Sequence, residues 1–323
     1  MQFHELIAGR ALQAAYAGVS LPLQHAFGTI EQRARAHAGA VIKAIGATLI
    51  HTLAERGEDR IVCIIDHPVH GRCILKISFP AHQSIKGLAN LALAQWVQEH
   101  RPALFPQVLE ANAIYTVEEM VEGSGFRQWI DNGFSAGPVT RFLEDHKSLS
   151  DHASLWPGPD TLLPAEIKTI MGHVVDKIMQ QRRYHGRQAQ AVALARLHSR
   201  RDRLSRLAQE LVDLCATVPI PRRMMCGDMT TVNLIVQNDT SRFYNVDYEF
   251  MRPGHHGFDL AYLLAMLGRL PVDTRTFANF SSLCLAPQIL GNEQQIHFFR
   301  TYAQMLLLLA GAVHGSDASI SHG

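Results

Sequence analysis

The stretch Cys226-Gly227-Asp228-Met229-Thr230-Thr231-Val232-Asn233-Leu234-Ile235-Val236, followed by Tyr244-Asn245-Val246-Asp247-Tyr248-Glu249, arranges a carboxylate, a carboxamide and a second carboxylate around a predicted β-hairpin. Asp228 and Asn233 share one tight loop. The apolar run Leu234 to Val236 then leads through the turn Asn238-Asp239-Thr240-Ser241 into a second short strand ending at Asp247. Such a hairpin returns Asp247 to the side of Asn233. Two oxygen ligands so placed suit a hard cation that bridges phosphate oxygens, and Asp228 is left to accept a proton.

This wording resembles the aminoglycoside phosphotransferase and choline kinase group of the protein-kinase-like fold. The group's pattern runs His-Gly-Asp, four residues, Asn, a hydrophobic strand, Ile-Asp-Trp/Tyr-Glu, and then Phe-Asp-Leu-Ala, which stands here as Phe258-Asp259-Leu260-Ala261. Two blocks matching in order and interval are far more specific than either alone. Cys226 departs from the pattern, because a thiol replaces the histidine that supports the loop backbone.

The resemblance implies an α+β, bilobal protein-kinase-like fold with a small antiparallel β lobe and a larger, mainly helical lobe. The N-terminal nucleotide-binding lobe is expected over residues 1–120 and the C-terminal catalytic and substrate-binding lobe over 121–323. It implies ATP and Mg2+ as cofactors, Asp228 as the catalytic base, Asn233 and Asp247 as metal ligands, and Asp259 as the tie that holds the loop backbone. Glu249 is expected on the substrate side.

Upstream, residues 29–44 read as a helix stopped at Gly46. Ala47 to His51, Arg60 to Asp66 and Arg72 to Ser78 read as three consecutive strands. Lys76 falls where the resembled group keeps its phosphate-binding lysine. The first inter-strand loop holds one glycine, Gly57, and so lacks a multi-glycine phosphate cover. A helix over about Ile85 to His100 is expected to supply a carboxylate partner for Lys76, and Glu99 is the charged candidate on its periodic face. Ala113 to Val117 reads as a strand running into Glu118-Glu119-Met120-Val121-Glu122-Gly123, which resembles an inter-lobe hinge. The backbone of Glu119 and Met120 would meet an adenine edge there.

From Gly133 to Pro164 the richness in Gly, Pro, Ser and Asp predicts a long loop or lid. Helical patterns follow over Pro164 to Gln181, Gln188 to Arg200, Leu204 to Ala216, Leu260 to Leu270 and Gln294 to His314.

The composition sets outer bounds. A chain of 323 residues buries a substantial core and suits two lobes better than one. Five scattered cysteines without metal-type spacing point to reduced thiols and a cytoplasmic setting. The apolar run Met305 to Val313 is too short to span a bilayer, and a net charge of +1 gives no general reason to expect nucleic acid. Arginines crowd residues 182–206, which disfavours polycationic acceptors. The resulting expectation is a phosphotransferase acting on a hydroxyl of a small metabolite such as a sugar or amino alcohol. Its alternative is a pseudokinase scaffold that keeps the fold without turnover.

Overall fold

The computed structural model describes residues 37–56, 60–78, 85–112, 114–151, 160–180 and 186–315. The chain divides into two compact units. The smaller runs up to Gly123 and also takes in Tyr244–Glu249; the larger holds Ser124–Phe243 and the chain from Phe250 onward. Asp247 and Glu249 therefore pack with the N-terminal strands, although in sequence they lie deep in the C-terminal half.

The smaller unit is built on a five-stranded sheet of order β1-β2-β3-β5-β4. Its strands are β1 (Thr48–Arg56), β2 (Arg60–His67), β3 (Gly71–Ser78), β4 (Val108–Ala111) and β5 (Tyr115–Glu119), each antiparallel to its neighbours. Period-two alternation sends Ile61, Cys63 and Ile65 of β2, Cys73, Leu75 and Ile77 of β3, and Val117 of β5 to one face. There they meet Ala38, Val41 and Ile42. Those three recur at helical spacing on residues 37–44, which Gly46, at φ +67°, brings to an end. The same alternation puts Lys76 and its cross-strand partner Thr116 on the opposite face.

β1 is longer than the sequence suggested and continues through Arg56, while Gly57 lies outside the described residues. β4 was not foreseen. Residues 29–36 of the expected first helix, and Arg182 and Arg183 of the arginine-rich stretch, also lie outside the described residues.

The larger unit surrounds two apolar helices, His256–Leu267 and Glu293–His314. Every residue of the first is buried, as expected of a helix that is hydrophobic all round. The second begins with a capping box between Asn292 and Gln295 and ends on Gly315 at φ +88°. At 22 residues it is longer than the expected apolar run and is long and apolar enough to cross a membrane, but 78% of its apolar window is buried inside the protein.

The expected loop or lid over Gly133 to Pro164 is overturned. A 16-residue helix, Ala136–Asp151, occupies its first half, and residues 152–159 lie outside the described residues. Val139, Phe142, Leu143, His146 and Leu149 recur on one buried face of that helix. Gly137 and Pro138, which suggested a loop, fall in the first turn, where proline is tolerated.

After the short strand β6 (Gly123–Gly125), the loop of interest is framed by β7 (Arg223–Met225), which pairs with β10 (Arg252–Gly254), and by β8 (Leu234–Gln237). β8 turns through Asn238–Ser241, with Ser241 N–H donating to Gln237 O at 3.0 Å, into β9 (Phe243–Asn245). All five cysteines are buried and free of disulfides.

Candidate active site

In the smaller unit the ammonium of Lys76 is 2.8 Å from Glu118 Oε2 and donates to the carbonyl of Val246 at 2.8 Å. It also lies 5.0 Å from the centre of the Tyr248 ring, whose hydroxyl donates to Glu118 Oε1 at 2.8 Å. Burial, followed by the charge of Glu118, pushes the Tyr248 hydroxyl well above its usual pKa. Lys76 and Glu118 are almost wholly inside the unit, at 8% and 2% side-chain exposure, so each charge depends on the other.

The expected partner, Glu99, is corrected. Glu99 is exposed, whereas Ala94 and Val97 of the same helix, Ile85–His100, turn inward. The carboxylate comes instead from β5. Thr116 lies opposite Lys76, and Glu118, two residues along, repeats on the same face. Glu119 is exposed and its N–H is already donated to Gln107 O at 2.8 Å, which leaves Met120 as the first residue past the strand.

Asp247, at 4% exposure, follows the carbonyl that holds Lys76, and its Oδ1 accepts from the N–H of half-buried Glu249 at 3.3 Å. The smaller unit thus brings together Lys76, Glu118, Tyr248 and Asp247.

In the larger unit the loop is tied from three sides. Asp259, 1% exposed within its buried helix, accepts from Cys226 N–H at 2.6 Å and from Gly227 N–H at 2.9 Å, one per oxygen. His146 Nε2 is 3.1 Å from Asp259 Oδ2, so an imidazole reaches the loop's anchor from the Ala136–Asp151 helix while position 226 carries a thiol. Asp259 is where the resemblance implied, tying the backbone.

Gly227 adopts φ +75°, and a Cβ there would run into the Phe250 carbonyl, so only glycine fits. Asn233 donates its N–H to Thr230 O at 3.1 Å and its side-chain Nδ2–H to Asp228 O at 2.9 Å. That second bond orients the carboxamide oxygen as the remaining acceptor. Taken separately, that oxygen and the Asp247 carboxylate of the smaller unit are both hard donors of the kind Mg2+ takes.

Lys177, which the sequence did not mark, closes the loop. Its ammonium is 2.8 Å from Asp228 Oδ1 and donates to Gly227 O at 2.7 Å, with the Phe250 ring centre 4.3 Å away. Desolvation lowers its pKa, and the attraction of Asp228 offsets this only in part.

Among the described residues, groups of His, Cys and carboxylate close enough for one ion occur twice: His67, His70 and Glu110, and His146, Cys226 and Asp259. The first is hydrogen bonded, with His67 Nδ1 accepting two backbone N–H groups, and in the second both Asp259 oxygens are committed to the loop. His255 accepts the Gly257 N–H as a helix cap, and His256 Nε2 is 2.6 Å from Ile289 O.

No protein-family model and no curated protein matches the sequence. Solved structures do. The choline kinase of Streptococcus pneumoniae superposes with a TM-score of 0.51 at 14% identity, covering 87% of this chain and 93% of its own. The macrolide 2′-phosphotransferase of Brachybacterium faecium gives 0.51 at 10% identity, covering 86% and 97%. The fold is that of the choline kinases and antibiotic phosphotransferases. A spectinomycin phosphotransferase in its AMP-bound form gives 0.50 at 12% identity, covering 83% of each chain.

Proposed function

We propose that the protein is an ATP-dependent phosphotransferase that moves the γ-phosphoryl group to a hydroxyl of a small metabolite. The observation that carries this reading is the buried Lys76, fixed by Glu118 and by the carbonyl preceding Asp247. A strand lysine so held is a rigid cation for inner phosphates, and the carbonyl it binds is next in sequence to Asp247, a carboxylate for their metal.

The fold neighbours act on choline, macrolides and spectinomycin, and one of them holds AMP, which favours a nucleotide donor and a small acceptor. Asn233 and Asp247 would hold magnesium. When bound, magnesium–ATP supplies the phosphoryl group and neutralises its charge.

The remaining work belongs to the chain's own residues. Lys76 orients the donor, and Asp228 aligns the acceptor hydroxyl and takes its proton late, because a loose transition state needs positioning more than a strong base. Asp259 keeps the loop in place. Arg196, Arg201, Arg203 and Arg206 are exposed on neighbouring helices and disfavour a polycationic acceptor. The three-way tethering of the loop by Asp259, itself bonded by His146, and by Asn233 and Lys177 argues against the scaffold alternative, which drew its support from the thiol at position 226.

Purified protein with magnesium–ATP and a panel of sugars, alcohols and amino alcohols is expected to consume ATP only with an acceptor present, and Asp228→Asn to abolish turnover. Nucleotide binding without turnover across the panel would replace this reading with the scaffold.

A further inference from the structure

Lys177 stands in the last turn of the Pro164–Gln180 helix, fifty residues before the loop it touches. Its ammonium contacts two consecutive residues, the Gly227 carbonyl at 2.7 Å and Asp228 Oδ1 at 2.8 Å. The ammonium faces two aromatic rings, with the ring centre of Phe250 at 4.3 Å and that of Tyr262 at 5.8 Å.

This is an unfavourable place to keep a charge for the sake of folding. Desolvation is the largest influence on Lys177 and lowers its pKa, Arg252 adds to the lowering, and the attractions of Asp228 and Asp259 do not cancel them. A methionine of similar length would pack on the same rings without a desolvation penalty. A charge retained at a cost to stability, beside the carboxylate read above as the proton acceptor, marks a functional requirement.

We propose that Lys177 is the positioning residue of Asp228: by gripping Oδ1 and the Gly227 carbonyl together, it fixes the carboxylate's rotation and presents Oδ2 to the acceptor hydroxyl. The inference rests on the phosphotransferase reading above. In the step it serves, the acceptor oxygen forms a bond to the γ-phosphorus as the bond to the β,γ-bridging oxygen breaks. The acceptor's proton passes to Asp228 Oδ2, and ADP leaves with the bridging oxygen. Lys177 keeps its own protons throughout and touches neither substrate.

Steady-state kinetics and thermal unfolding of wild type, Lys177→Met, Lys177→Arg and Asp228→Asn, measured with an acceptor found in the panel, test the proposal. Lys177→Met is expected to lower kcat by about tenfold to a hundredfold, the size of losing one charge-assisted hydrogen bond, with KM for ATP within about twofold of wild type. Its Tm is expected not to fall, and Lys177→Arg to restore part of kcat. Full kcat in Lys177→Met alongside a dead Asp228→Asn would overturn the positioning role and leave the phosphotransferase reading intact. A loss of kcat that tracks a fall in Tm and is not restored by arginine would reassign Lys177 to structure. Wild-type rates in Asp228→Asn, or no turnover by the wild type, would remove the reading itself and this inference with it.

Discussion

Each unit contains a lysine 2.8 Å from a carboxylate, donating to a backbone carbonyl beside an aromatic ring: Lys76 with Glu118, Val246 O and Tyr248, and Lys177 with Asp228, Gly227 O and Phe250. The pairs differ in depth. Lys76 and Glu118 are 8% and 2% exposed, whereas Lys177 and Asp228 are 20% and 16% exposed. A closed pair whose acid is further bonded by Tyr248 behaves as part of the core, and removing one member strands the other. A more exposed pair over a loop, in the proposed reading, leaves the second carboxylate oxygen to the acceptor. In that reading the same three contacts therefore hold a donor-binding cation rigidly in one unit and orient the proton-accepting carboxylate in the other.

The largest effect should come from the loop's own anchor. Asp259→Ala strips the acceptor from two buried amides and one imidazole, and at about 1–3 kcal/mol for each unsatisfied group the loss is several kcal/mol, readable by urea unfolding. Stability close to wild type would show that the loop holds itself and that the contrast between the units is overdrawn.

Next, Glu118→Gln leaves Lys76 buried and unpaired and is expected to cost about 3 kcal/mol while weakening nucleotide binding. Set against an unchanged Tm for Lys177→Met, that result sharpens the comparison; equal losses would erase it.

The legibility of the two pairs from sequence differs for a physical reason. Lys76, the three strands around it, Asp228, Asn233, Asp247 and Asp259 all sit in local patterns, alternation or a spaced motif, that a reader can follow without knowing the fold. Glu118 lay in plain view within the hinge segment. Its role depended on β3 pairing with β5 rather than on the helix that carries Glu99, and register between distant strands is not written locally. Lys177 is further from reach. Its helix is an ordinary amphipathic one, and only tertiary packing brings residue 177 to residues 227 and 228. The Ala136–Asp151 helix was missed because Gly137 and Pro138 read as loop signals when they stood in a first turn. The smaller unit's claim on Tyr244–Glu249 is likewise a matter of contact rather than order.

A third effect concerns acid. His256 is held neutral, with burial pushing its pKa from 6.5 to about 4, and the pKa of His255 is lowered well below the usual value by the same cause. Between those two pH values the unfolded chain takes up a proton on residue 256 that the folded chain refuses. Stability of the larger unit should fall, on the order of 2 kcal/mol, as pH drops from about 6.5 to about 4. His256→Gln should flatten that slope in a series of unfolding curves.

The smallest effect is a deliberate null. Glu99→Gln, on the exposed face of its helix, is expected to change stability by less than about 0.5 kcal/mol and to leave nucleotide affinity untouched. A loss of affinity matching that of Glu118→Gln would restore Glu99 to the site.

The most direct test of the central claim is mass spectrometry of the acceptor after incubation with magnesium–ATP, comparing wild type with Asp228→Asn. The account predicts a product heavier by one phosphoryl group with wild type only. The same product from both proteins, or from neither across a broad acceptor panel, would contradict it.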